Sequence, residues 1–136
     1  MLTDARGTPL AASVTAANRH DVTQLLPLVV SVPDVRGRRG RPRRRPALLL
    51  GDQAYDSRWH RLLLHWMGIR TALAPRGRRH GSGLGKRRWV VERTLSWLHQ
   101  FRRLRVRYDR RADIHDAFLQ LACIVVCFRA LPRPFC

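Results

Sequence analysis

Acidic side chains are scarce in this 136-residue chain: nine Asp and Glu stand against 27 Lys and Arg, for a net charge of +18 at pH 7 with histidine neutral. The shortage extends to residue types. Glu92 is the only glutamate and Lys86 the only lysine, so the positive field is almost wholly guanidinium. A surface of this sign repels basic partners and attracts polyanions, which puts nucleic acid first among partner classes and an anionic membrane surface second. Cysteine is scarce as well. Cys123, Cys127 and Cys136 cannot close a complete set of intrachain disulfides, and no secretory leader is legible, so a reducing cytoplasm is the expected compartment. Cys123 and Cys127 share a helix face, but zinc would need four ligands and only His115 lies near them in sequence; the pair reads as buried thiols. Long hydrophobic runs are missing too. The longest, Ala117 to Phe128, includes Gln120 and falls short of the roughly 20 residues that a membrane helix requires, so no membrane partner is expected. With 45% hydrophobic residues the chain can nevertheless build a core, and its length suits one ordinary domain or a piece of a larger one.

Turn and strand signals organise what is present. Asp4 to Pro9 reads as a turn, and Leu10 to Thr15 as a short strand after it. Only Met1, Leu2 and Thr3 precede that turn, too few for a full partner strand, so the chain is expected to begin partway through an element. Asp21 is expected to cap a short helix through Leu25, Leu26 and Val29, with Pro27 limiting its length. Residues 36–46 form a basic loop in which Arg41, Arg43 and Arg44 are candidate phosphate contacts, although a solvated linker accounts for it equally well. Ala47 to Leu50 is an apolar run suited to a buried parallel strand, and it ends in Gly51 and Asp52. Ser57 or Asp56 then caps a helix carrying Trp59, Leu62, Leu63 and Trp66, closed by Gly68, before a second strand from Ile69 to Leu73. Strand, helix and strand with short connections make a βαβ unit. Asp52 falls at the carboxyl end of its strand, where such sheets place ligands and catalytic groups.

A second basic loop, residues 75–86, is rich in glycine. A phosphate-binding P-loop would require glycine where His80 stands and Ser or Thr where Arg87 stands, which excludes that motif. A helix is predicted from about Arg87 to Phe101, with Val91, Leu95 and Leu98 as its apolar stripe. Arg102, Arg103, Arg105, Arg107, Arg110 and Arg111 form a third basic cluster. The last helix, from about Ile114 to Ala130, is apolar on most sides and is expected to be buried against the sheet. Trp59, Trp66, Trp89 and Trp97 could stack on bases, but helical aromatics are more often core, and they are assigned there. The fold class these elements imply is α/β, a mixed sheet with flanking helices.

Glu92 shares a helix face with Arg88, Ser96, His99 and Arg103, beside the leucine stripe. A glutamate among arginines commonly serves as a salt-bridge partner. However, a carboxylate at a strand end and another on a facing helix can also converge on a hard divalent cation that holds phosphate oxygens for in-line displacement.

The strings GDQAYDS around Asp52 and RRWVVERTLSWLHQFRRLRVRYDRRADIHDAFLQLACIVV from Arg87 to Val126, together with TDARGTPL and ANRHD, closely resemble the C-terminal part of bacterial insertion-sequence transposases of the DDE type. The resemblance runs from about Leu2 to Leu131. It implies a partial RNase H-like fold lacking its N-terminal strand or strands, with residues 1–131 as the C-terminal part of one catalytic domain and 132–136 as a tail. It implies metal-dependent cleavage and strand transfer at insertion-sequence ends, with Mg²⁺ or Mn²⁺ as cofactor. Asp52 matches the family's second catalytic aspartate and Glu92 its third acid, and both would be metal ligands. Arg88 matches the family's Arg-x-x-x-Glu pair. Positions where neighbouring branches carry Tyr and a basic residue hold Gly85 and His99 here. The DNA contacts implied are Lys86, Arg87, Arg88, Arg102, Arg103, Arg41, Arg43 and Arg44. Partners would be element-end and target DNA, further copies in a full-length homo-oligomer, and an upstream-frame polypeptide where two frames are fused. The first catalytic aspartate is not matched, since Asp4 fits the turn and Asp21 a helix cap. The isolated chain is therefore expected to be inactive. The alternative is a non-catalytic basic nucleic-acid-binding protein in which Asp52 and Glu92 merely pair with arginines.

Overall fold

The computed structural model describes residues 1–15, 18–36, 40–74 and 85–131, with the side chains of 85–88 left aside. The fold is mixed α/β, in two compact units, one formed by residues 1–16 and 90–136 and the other by 17–89. Among the described residues the strands make two separate two-stranded sheets, where one mixed sheet was expected.

In the first unit, β1 (Leu2–Thr3) and β2 (Pro9–Ala11) pair antiparallel. The Asp4 carboxylate closes the turn between them by accepting from the backbone N–H groups of Arg6 and Thr8, both at 2.8 Å. β2 stops at Ala11, so the predicted strand to Thr15 is shorter than expected. Beyond it the chain is held by side chains of a later helix: Asp116 Oδ1 accepts from Val14 N at 3.3 Å, and Gln120 Nε2 donates to Ala12 O at 3.1 Å. α3 (Gly85–His99) begins two residues before its predicted start, α4 (Arg102–Arg105) is a single turn, and α5 (Ala112–Ala130) is the longest helix described. Leu98 packs with Ala122, Cys123 and Val126 to form the core of this unit.

α5 is not buried on most sides. Its inner face is Ala122, Cys123 and Val126, while Leu121, Ile124 and Phe128 are exposed. The expected stripe on α3 is also corrected: Leu95 is exposed, and fully buried Thr94 takes its place beside Leu98. A threonine can occupy that position because its hydroxyl is paired, as described below.

The second unit starts with a 3₁₀ turn, Asp21–Gln24, running into α1 (Leu25–Val30). Asp21 is not a cap; His20 holds the cap position without a side-chain hydrogen bond. Val35 and Arg43 exchange backbone hydrogen bonds of 2.9 and 3.0 Å across the basic loop. β3 (Leu48–Gly51) and β4 (Arg70–Leu73) pair parallel, with Leu49 opposite Thr71 and Gly51 opposite Leu73. α2 (Arg58–Trp66) crosses between them, so the βαβ unit read from the sequence is present. Its end is fixed by geometry: Gly68 (φ +75°) lets its N–H reach His65 O at 2.8 Å while Ile69 N reaches Leu64 O at 2.9 Å. This is the Schellman arrangement, and its usual apolar contact is supplied by Leu64 and Ile69, both almost fully buried.

The four tryptophans are the clearest departure from expectation. Trp59, Trp66, Trp89 and Trp97 are between 36% and 70% exposed. In α2 the inward direction is set by Leu64, which turns the Trp59, Leu62 and Trp66 face outward.

Candidate active-site carboxylates and their supports

Asp52 follows β3 directly and opens a 3₁₀ turn, Gln53–Tyr55, in which its Oδ1 accepts from Gln53 N at 2.7 Å. The preceding Gly51 faces Leu73 across the strand pair: a Cβ there would stand 2.6 Å from Leu73 Cδ2, so that side chain would have to move. Arg61 braces the same end, donating to Asp56 Oδ1 at 2.6 Å and to the Leu73 carbonyl at 3.0 Å. Tyr55 is partly buried, and its phenol is held above the ordinary value of 10.0, chiefly by burial and further by the negative charges of Asp21 and Asp52. Asp21 thus acts on the same phenol as Asp52, a relation that sequence spacing did not show.

Glu92 lies in the first unit, exposed on α3. Its two successors explain its direction. Thr94 Oγ1 donates to Gly7 O at 2.7 Å, with Val90 O also in reach at 3.1 Å, and Arg93 Nη2 donates to Arg6 O at 2.6 Å. Gly7 adopts φ +88°, and a Cβ there would lie 2.8 Å from Thr94 Oγ1. Arg93 and Thr94 therefore clasp the Asp4–Thr8 turn, and because neighbouring helix positions diverge by about 100°, Glu92 is left facing solvent. Sequence reading singled out Glu92 and passed over Arg93 and Thr94. The polar pair directly after the acid, matched by a glycine-bearing turn, was the available signal.

Asp52 and Glu92 are thus placed by separate scaffolds, one in each unit. Among the described residues no group of three or more His, Cys, Asp or Glu could hold a metal ion. The basic candidates have mixed surroundings. Arg41, Arg43 and Arg102 are exposed, Arg44 pairs with Asp34 at 3.3 Å, and Arg103 pairs with Asp109 at 3.4 Å while lying over the Phe118 ring at 4.8 Å. Lys86, Arg87 and Arg88 belong to α3, but their side chains lie outside the described residues, as do 75–84 of the glycine-rich loop and the tail 132–136. Cys123 and Cys127 have a packing role: burial raises both thiols, and Cys127 Sγ donates to Pro9 O at 3.6 Å. No described helix is long and apolar enough to cross a membrane.

The described residues thus form a strongly basic α/β chain with one acid at the carboxyl end of a parallel strand and a second on a helix. The family follows directly: the model of the transposase DDE domain matches residues 1–127, and the chain belongs to that family. It is 57% identical over 133 residues to a protein of Burkholderia cepacia described as a putative transposase for insertion sequence element IS402. That match covers 98% of this chain and 63% of the relative. No solved structure matches the chain.

Proposed function

We propose that this chain is the C-terminal part of an RNase H-like DDE catalytic domain and that, within a full-length polypeptide, it serves DNA transposition by cleaving and joining DNA strands at insertion-sequence ends. The single observation that carries this reading is the construction around the two acids. Arg61 braces the strand end that offers Asp52, and Arg93 and Thr94 commit the neighbours of Glu92 to the hairpin turn, leaving that carboxylate outward. Two carboxylates are the donor chemistry that Mg²⁺ or Mn²⁺ prefers, and Asp52 and Glu92 would hold the ion. A bound divalent ion would supply charge neutralisation at the phosphoryl oxygens. Asp52 and Glu92 would supply the anionic oxygens, and the arginines would hold the backbone on either side of the scissile phosphate by charge-assisted hydrogen bonds.

A third acid is required from elsewhere. Asp4 is engaged by two backbone N–H groups of its own turn, which suits it to structure. With two acids the 136-residue chain alone is inactive. In a polypeptide extended to the length of the relative, Asp52→Ala and Glu92→Ala each abolish Mg²⁺-dependent strand cleavage and leave DNA binding within about twofold. Cleavage that survives both changes refutes the assignment, and so does Mg²⁺-dependent cleavage by the chain alone. The absence of cleavage in any extended polypeptide would favour a basic binding protein instead.

A further inference from the structure

The string from Asn18 to Asp21 has no part in the site described so far, yet the second unit folds it against the turn that follows Asp52. The 3₁₀ turn Asp21–Gln24 packs on the 3₁₀ turn Gln53–Tyr55. A cleft of about 780 Å³ opens beside them, lined by Arg19, His20 and Asp21 from one segment and by Ala54, Asp56 and Arg58 from the other. Local hydrogen bonds fix both segments: His20 O accepts from Thr23 N at 3.0 Å and from Thr23 Oγ1 at 2.8 Å, and Asp56 N donates to Gln53 O at 3.1 Å. The charges of the cleft are unevenly matched. Asp56 is taken by Arg61 at 2.6 Å, just as Asp34, Asp109 and Asp113 are taken by Arg44, Arg103 and Arg111. Arg19 and Arg58 are both exposed, and among the described residues neither guanidinium has an ion-pair partner, although an aspartate of the same cleft stands two residues from each. With Asp56 neutralised, two guanidinium groups face the single carboxylate of Asp21.

We propose that Arg19 and Arg58 bind the phosphate backbone of a DNA strand in this cleft and so position that strand beside Asp52, a contact separate from the basic loop and from the arginines of α3 and α4. Its role in the reaction rests on the reading of Asp52 as a catalytic acid; the anion site itself does not. Three arguments support it. The first is place. Ala54 lines the cleft and belongs to the turn that Asp52 opens, so a strand held there runs directly past the carboxylate. The second is donor capacity. A guanidinium fork suits carboxylate and phosphate alike, and here it leaves nearby carboxylates unused, which keeps its N–H groups available to an anion from outside the chain. The third is charge. The cleft carries one surplus positive charge, which matches the single negative charge of a phosphodiester. A carboxylate that serves phosphoryl transfer also repels the backbone it must approach, and cations flanking it offset that repulsion before any ion is bound.

Fluorescence anisotropy of the 136-residue chain on a labelled DNA duplex, repeated across salt concentrations, tests the contact. Arg19→Gln combined with Arg58→Gln should weaken binding by about tenfold or more and lower the slope of log affinity against log salt by about 2. Arg58→Lys, which keeps the charge, should retain the parent slope. Arg70→Gln removes an exposed arginine of β4 that does not line the cleft, and it should leave the slope unchanged. Both cleft arginines are exposed, so helix content by circular dichroism should not change; should the double variant lose it, each single change, lowering the slope by about 1, gives the same reading. Placement is tested in the polypeptide extended to the length of the relative. Uncharged methylphosphonates set one at a time along an element end should weaken parent binding close to the scissile phosphate, and the double variant should be indifferent at those positions. An unchanged slope, a loss that Arg70→Gln reproduces, or the same methylphosphonate pattern in parent and double variant would overturn the proposal. Failure of the catalytic reading looks different: Asp52→Ala would then leave cleavage intact while the slope still falls in the arginine variants.

Discussion

Replacing Gly7 by alanine tests whether the clasp between α3 and the hairpin turn is as tight as its geometry states. Two costs arise. The backbone at φ +88° is left-handed, a conformation that costs a side-chain-bearing residue about 1–2 kcal/mol. The new Cβ would also stand 2.8 Å from Thr94 Oγ1 and 3.2 Å from Arg93 Nη2. The Thr94 hydroxyl must therefore retreat from the Gly7 carbonyl, and leaving that buried pair unmade costs about 1–3 kcal/mol. Together these come to about 2–5 kcal/mol, a large fraction of the roughly 5–15 kcal/mol by which domains are stable. Urea denaturation followed by circular dichroism measures it. A double-mutant cycle with Thr94→Ala separates the parts: the backbone cost and the contact with Arg93 Nη2 persist in the Thr94→Ala background, while the clash with Thr94 Oγ1 disappears. The coupling should be about 1 kcal/mol or more. A loss below about 1 kcal/mol for Gly7→Ala, or strict additivity with Thr94→Ala, would refute the reasoning.

Leu64 is fully buried and anchors the end of α2, so Leu64→Ala should cost about 2–5 kcal/mol in the same unfolding assay. The Tyr55 phenol is raised in the folded state, so its contribution is fully present below pH 10 and is lost as pH rises above that value. Tyr55→Phe should therefore flatten the alkaline limb of the stability profile while leaving neutral pH little changed. Changing Arg41, Arg43 and Arg44 together to alanine should lower the slope of log affinity for duplex DNA against log salt by up to about 3, measured by fluorescence anisotropy, and an unchanged slope would remove the basic loop from the interface.

The βαβ unit was legible because each of its signals is local. A leucine run, a glycine at the helix end and a second apolar run specify themselves within a few residues, and β3, α2 and β4 follow them closely. Helix faces were less legible. Trp59, Leu62, Leu63 and Trp66 have helical spacing, but Leu64 is equally apolar, and the direction of burial depends on what α2 packs against, which spacing cannot state. α5 failed for the same reason in reverse: an all-round apolar helix gives no periodic contrast, so only its neighbours define an inner face. At the candidate site, the strand-end position of Asp52 and the helical position of Glu92 were legible in the sequence. Arg93 and Thr94 were not, because their partners Arg6 and Gly7 are 87 residues away.

The first unit is discontinuous in sequence, and this orders its assembly on the ribosome. Residues 17–89 form a contiguous body that can condense as soon as they emerge, whereas the hairpin before them waits for helices that follow that body in the chain. Its hydrogen bond from Cys127 to Pro9 spans 118 positions. The hairpin is thus synthesised before the contiguous body yet is closed over only once α3 and α5 have followed it.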